Sequence, residues 1–282
     1  LLWETAFPEH PYGRPVAGTA AGVAAYDAED LAAFHKKLYV PNNMSLVVVG
    51  DVTTDEVIEL ATKLLGGYPS QPLEPPTVAP PAPVTESRTR LEKAPIRGTI
   101  VTYGWHAAGM DKKRDVCTLD LIYAFLGEGR EARIAKGLEE AGIKDAAPEV
   151  EFITRRDPGL FTITLLCQPE SELGAREVLL HQVERLRTEP VTADELAVAR
   201  AAIHAGYAFD NQSFAGQVGS MGFYEAIDTY QFAVDYLSEV DKVTVEDIQR
   251  VAADYLNTSR SSLVIIRPKK AGEGTKEARL IP

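Results

Sequence analysis

The chain has 282 residues, 45% hydrophobic and 25% charged, which suits a soluble globular protein long enough for two hydrophobic cores. Twenty-nine basic against 41 acidic residues give a formal charge of −12, which excludes a general nucleic-acid or anionic-membrane binder, since that role needs a basic face. No apolar run approaches the ~18–20 residues of a membrane helix, and two cysteines, Cys117 and Cys167, make no disulfide framework.

The chain begins at Leu1, with no basic stretch leading into an apolar core, so it shows no signal peptide of its own and suggests that something upstream has been removed. Asp27 is placed to cap a helix with Leu31, Phe34 and Leu38 on one buried face. Pro41-Asn42-Asn43 reads as a turn, and Met44 to Val49 as a buried strand. Thr53 and Glu56 form a capping box for a helix carrying Val57, Leu60, Ala61, Leu64 and Leu65, stopped by Gly66-Gly67.

Seven of the 18 prolines then fall between Pro69 and Pro83. Proline removes a backbone donor and fixes φ, so this stretch is expected to be an extended spacer. It divides the chain into a first part (1–67), a Pro-rich linker (68–84) and a second domain (85–282).

Past the linker, Thr85–Lys93 and Ile96–Trp105 read as strands. Two helices follow, at about 111–126 with Val116, Leu119, Ile122, Tyr123 and Leu126 inward, and at about 130–141. Val150–Arg155, the turn Asp157-Pro158-Gly159 and Leu160–Cys167 make a hairpin. Helices fill the rest from about Glu172, one opened by the Thr192/Glu195 box and the last capped by Thr244, before a closing strand Ser262–Ile266.

The ends of the two parts repeat one another. Tyr26–Gly50 aligns without a gap on Val243–Arg267, with Glu29, Asp30, Ser45, Leu46 and Val47 meeting Glu246, Asp247, Ser262, Leu263 and Val264. Cap, core stripe, turn and strand share one register, which points to duplication. The second copy has about 160 residues between linker and shared block and the first only 25 before it, so roughly 130 residues of the first copy are expected to be missing.

Candidate chemistry is sparse. The histidines His10, His35, His106, His181 and His204 include no pair at helical zinc spacing, and there is no C-x-x-C. His35, His181 and His204 read as surface positions, while His106 ends a strand at a loop with no acid beside it. Gly127-Glu128-Gly129 follows a helix rather than a strand and reads as a helix stop. Cys117 and Cys167 read as buried inert thiols, Glu139-Glu140 and Arg155-Arg156 as solvated faces. No residue is assigned a catalytic or metal-binding role.

The motifs together resemble the pitrilysin/insulinase-type zinc metallopeptidase family, whose fold is that of mitochondrial processing peptidase. The first part contributes His10-Pro11-Tyr12-Gly13-Arg14-Pro15, Asp30-Leu31-x-x-Phe34, Tyr39-Val40-Pro41-Asn42-Asn43-Met44 and Leu46-Val47-Val48-Val49-Gly50-Asp51. The second contributes Gly127-x-Gly129-Arg130-x-x-Arg133, Arg156-Asp157-Pro158-Gly159-Leu160-Phe161, Thr192-x-x-Glu195-Leu196 and Val243-Thr244-x-x-Asp247. The resemblance implies an α+β chain of two homologous domains, each an antiparallel sheet covered by helices, the N-terminal copy truncated.

The family's zinc motif, H-x-x-E-H, and its third ligand, a downstream Glu, would all lie before Leu1, so no zinc or other cofactor is expected in this chain, only in an intact parent. Family members also hold substrate with an Arg and a Tyr from a C-terminal domain; here those positions carry Glu139 and Asp145, which cannot stabilise an oxyanion. The resemblance therefore implies the C-terminal portion of a zinc metalloendopeptidase acting on peptides. Such a portion is inactive alone, serving as a chamber wall and as a contact surface for a homologous second subunit, in a homo- or heterodimer. Its parent would carry the zinc and borrow Arg and Tyr from that partner. The alternatives are a non-catalytic core-type scaffold subunit of the same family and a peptide-binding module with an open sheet edge. Periplasm and cytoplasm both stay open.

Overall fold

In the computed structural model, residues 1–74, 78–129 and 132–269 are described. Pro75 and Pro76 of the linker and Arg130 of the glycine-rich motif lie outside them. The first part is built from short helices: α1 (Leu2–Ala6), α2 (Ala20–Ala25), α3 (Ala28–Leu38) and α4 (Thr54–Leu65). The predicted caps form. Asp27 accepts from the Glu29 and Asp30 amides while Asp30 receives the Asp27 N–H, and Thr53 and Glu56 close the same reciprocal box. Pro41–Asn43 is a single 3₁₀ turn.

Met44–Val49, expected as a buried strand, is irregular and mostly exposed. A strand exists only through its ladder, and every strand among the described residues lies in the second part and pairs only with strands there.

The second part is one sheet covered by helices. Its strands are β1 (Arg88–Ala94), β2 (Thr99–His106), β3 (Ala147–Phe152), β4 (Leu160–Cys167) and β5 (Ser262–Pro268), in the order β1-β5-β2-β4-β3. The pairings are antiparallel except β1–β5, which run parallel. The whole domain separates β1 from β5 in sequence, leaving ample chain for the crossover that a parallel pair needs.

The helices are α5 (Lys113–Gly127), α6 (Arg133–Glu140), α7 (Glu172–Thr188), α8 (Ala193–Asp210), α9 (Phe214–Ile227), α10 (Gln231–Asp241) and α11 (Val245–Tyr255). Val101, Tyr103 and Trp105 of β2 sit opposite Leu165, Ile163 and Phe161 of β4. All six are buried, in one core with Leu119, Ile122 and Leu126 of α5, Leu179 and Val183 of α7, and Ile248 and Val251 of α11. Each such aliphatic side chain contributes roughly 1.5–3 kcal/mol by leaving water. Polar ties fix the layers: Arg267 on β5 grips Glu172 on α7 at 2.7 and 2.8 Å, and Arg114 on α5 reaches Asp247 on α11 at 2.6 Å.

The outer face of the sheet is covered at one end by the N-terminal arm, residues 1–15. Leu2 lies over Gly104, where a Cβ would come within 3.1 Å of it. Arg88 of β1 donates to the Ala6 carbonyl at 2.9 Å, and Arg90 pairs with Glu4 at 2.8 Å. Phe7 and Ala6 are buried with Leu160 in a second, small core.

Candidate functional site

Three places deserve a chemical reading: the helical face of residues 20–68, the family's Arg/Tyr positions, and the polar side chains of the second domain.

Helices α3 and α4 of the first part are amphipathic, yet their apolar faces are not covered among the described residues. Leu31 and Phe34 on α3, Leu60, Leu64 and Leu65 on α4, and Met44 and Leu46 between them are all exposed. Sequence periodicity is the signature of a face that buries, so the expected core stripe is present but lacks its cover among the described residues.

Glu139 and Asp145 lie at the end of α6 and in the loop after it, and both are exposed. Asp145 accepts hydrogen bonds from Ser171 Oγ at 2.8 and 2.9 Å, tying this loop to the start of α7. Two exposed carboxylates supply no donor for a developing negative charge. A cleft of about 550 Å³, lined by Glu140 but by neither of these two, opens between α5, α6, α7 and α8. Arg133 crosses it to Glu195 at 2.7 Å. Burial raises the Glu195 pKa, but the Thr192 amide and Arg133 outweigh that and hold it low.

The histidines are dispersed in role. His35 stacks on Tyr39 at 4.6 Å on the exposed face, His181 is exposed on α7, and His204 meets Asp241 at 2.9 Å. His10 caps the turn before Tyr12 by accepting the Tyr12 N–H at Nδ1. His106 is more engaged than its sequence context suggests: its ring stacks on Phe7 at 4.3 Å and its Nε2 bonds the Ala6 carbonyl at 3.0 Å. Burial depresses its pKa, and Arg88 adds to that. Arg155, expected on a solvated face, instead lies 4.7 Å over the Trp3 ring and 5.6 Å over Tyr12. The pull is that of a cation on an aromatic face, and the partner residues lie so far off in sequence that no local pattern could reveal it. Both cysteines are buried, with burial pushing their thiols up. Among the described residues no group of three or more His, Cys, Asp or Glu side chains is arranged to hold a metal ion, and no helix is long and apolar enough to cross a membrane.

Sequence reasoning passed over Asp120. It sits on α5, where its carboxylate accepts from Tyr236 Oη at 2.8 Å, and burial raises its pKa to about 7 against the lowering effect of that bond.

A family model described as the peptidase M16 inactive domain matches residues 25–203. The chain belongs to this family. The resemblance drawn from the motifs is thereby borne out, and the M16 match runs through the Pro-rich segment into α8. Among relatives, an uncharacterized zinc protease from Mycobacterium leprae is 24% identical over 271 residues, covering 92% of this chain and 59% of its own length. A protease structure from Helicobacter pylori superposes with a TM-score of 0.85 at 22% identity, over 95% of this chain and 65% of that one. An M16 inactive-domain structure from Pseudomonas fluorescens gives 0.81 at 23% identity, over 97% and 65%. These structural likenesses establish the fold. The chain spans 59% and 61% of the length of the first two curated relatives it matches.

Proposed function

We propose that this chain is the C-terminal, catalytically empty portion of a zinc-dependent metalloendopeptidase, forming one wall of a peptide chamber and a contact surface for a homologous second subunit. The observation that carries the reading is the uncovered apolar face of α3 and α4, when the repeat counterparts of Leu31 and Phe34 on α3, Ile248 and Val251, are fully buried. Membership of the M16 inactive-domain family and the zinc-protease names of relatives support it. The residues present do not fit a zinc ion. The helix that follows β2, α5, contains no histidine, and no three-ligand group is found among the described residues. In this proposal the zinc, which would polarise the peptide carbonyl, is held by polypeptide outside these 282 residues. This chain's own part is to shape the chamber and exclude water. Glu139 and Asp145 leave the oxyanion contacts to the partner subunit.

The test is hydrolysis of an internally quenched peptide by the protein isolated from its native cells, with and without chelator. Cleavage that chelator abolishes and zinc restores is expected, with no cleavage by the 282-residue chain alone. A parent coding sequence without H-x-x-E-H, or chelator-insensitive cleavage by this chain, would overturn the proposal.

A further inference from the structure

A second cleft, of about 340 Å³, opens where α5, α8, α9 and α10 meet. Its lining is chemically one-sided. Asp120, Glu128 and Asp210 supply three carboxyl groups, Tyr207, Tyr224 and Tyr236 supply rings, and no Lys, Arg or His lies among the described lining residues. The nearest basic side chains of α5 are committed elsewhere, Lys113 to Asp228 at 2.6 Å and Arg114 to Asp247.

The tyrosines are held in place by their hydroxyls. Tyr236 donates to Asp120 at 2.8 Å, Tyr207 donates to the Ala233 carbonyl, and the Tyr207 and Tyr236 rings stack at 5.4 Å. Burial pushes the Tyr224 and Tyr236 phenols up, and the Asp120 carboxylate pushes them further. Asp120 is the enclosed member of three lining carboxyls, with no basic side chain among the described lining residues, and a carboxyl so placed is costly to keep ionised. A bound cation would relieve that cost, and ring faces attract the same charge.

The cleft's volume falls in the range of small-ligand pockets, roughly 300–1,000 Å³. A metal ion fits poorly. Hard cations need six or more oxygens drawn together, and no three of the described carboxylates are gathered closely enough to hold one. A planar guanidinium, whose five N–H donors fan out over several ångströms, matches the dispersed acids better than a compact ion.

We propose that this cleft binds a small organic cation bearing a guanidinium group, with Asp120 as its charge partner and the tyrosine rings as its walls. The site is independent of the peptidase reading and stands or falls separately from it.

The test is NMR titration of the 282-residue chain with ethylguanidinium, its neutral isostere ethylurea, and the peptide acetyl-Gly-Gly-Arg-Gly-Gly-amide. Ethylguanidinium is expected to shift the Tyr207 and Tyr236 ring resonances saturably, whereas ethylurea leaves them unmoved. Asp120→Asn, which keeps size and a Tyr236 hydrogen bond, is expected to weaken the binding at least tenfold. If the arginine peptide saturates the same resonances, the ligand is a peptide side chain. If only ethylguanidinium does, it is a free small cation. Equal shifts from ethylguanidinium and ethylurea, or no saturable shift in the wild-type chain, would overturn the proposal whether or not the Asn variant folds. So would undiminished binding by a folded Asp120→Asn.

Discussion

Residues 26–50 and 243–267 carry the same pattern and meet opposite fates. Both contain an 11-residue helix, Ala28–Leu38 and Val245–Tyr255, opened by a reciprocal capping box and followed two residues on by a 3₁₀ turn. After that turn one copy becomes β5, paired on both sides in the sheet, and the other runs as irregular chain. Leu31 is 62% exposed and its counterpart Ile248 is fully buried; Phe34 is 58% exposed and its counterpart Val251 is fully buried. Caps and turns are local, so they form in both copies. Strands and cores need distant partners, so they form only where those partners are present. The difference separates what a segment decides alone from what its surroundings decide for it.

The largest effect should come from the aligned core pair. Ile248→Ala is expected to cost about 2–5 kcal/mol of stability, while Leu31→Ala costs less than about 0.5 kcal/mol in this chain. Urea unfolding of the two variants checks this. Equal losses would mean that α3 is packed after all and would break the contrast.

A smaller effect tests the part that both copies share. Asp247→Ala removes the cap partner and the contacts to Arg114 and Arg250, and is expected to cost about 2 kcal/mol. Asp30→Ala removes only the local cap bond, for about 0.5–1 kcal/mol. The same comparison has a pH signature. Burial raises the Asp247 pKa, but Arg114, the Thr244 amide and Arg250 overcome that and lower it to about 2. A carboxyl depressed in the folded state contributes stability above its ordinary pKa of 3.8, and that contribution is lost as pH falls toward 2. Wild type is therefore expected to lose its advantage over Asp247→Ala across that window. An advantage that stays constant down to pH 2 would assign the ion pairs no role.

Much of the fold was legible from local chemistry. The caps at Asp27, Thr53, Thr192 and Thr244 all form, and the helix predicted for 111–126 appears as Lys113–Gly127 with Val116, Leu119 and Ile122 buried. What was not legible depends on residues far apart in sequence. The parallel β1–β5 pair, the stacking of His106 on Phe7 and the seat of Arg155 over Trp3 all join segments that no window spans together. Asp120 escaped for another reason. A single acid among Val116, Leu119, Ile122 and Tyr123 reads as the wet edge of a helix, and only the approach of Tyr236 from α10 encloses it.

Residues 26–50, a repeat copy, and α4 after them present an apolar face that is made to be covered. Hydrogen exchange measured on the 282-residue chain and on the protein as isolated from its native cells tests this claim most directly. In the chain alone, amides of 44–49 should exchange on the order of a thousandfold faster than those of 263–266, which lie between two strands. In the native protein, protection should appear across α3, 44–49 and α4 and leave 245–267 unchanged. If 44–49 exchanges as fast in the native protein as in the isolated chain, the face has no cover and the claim is wrong.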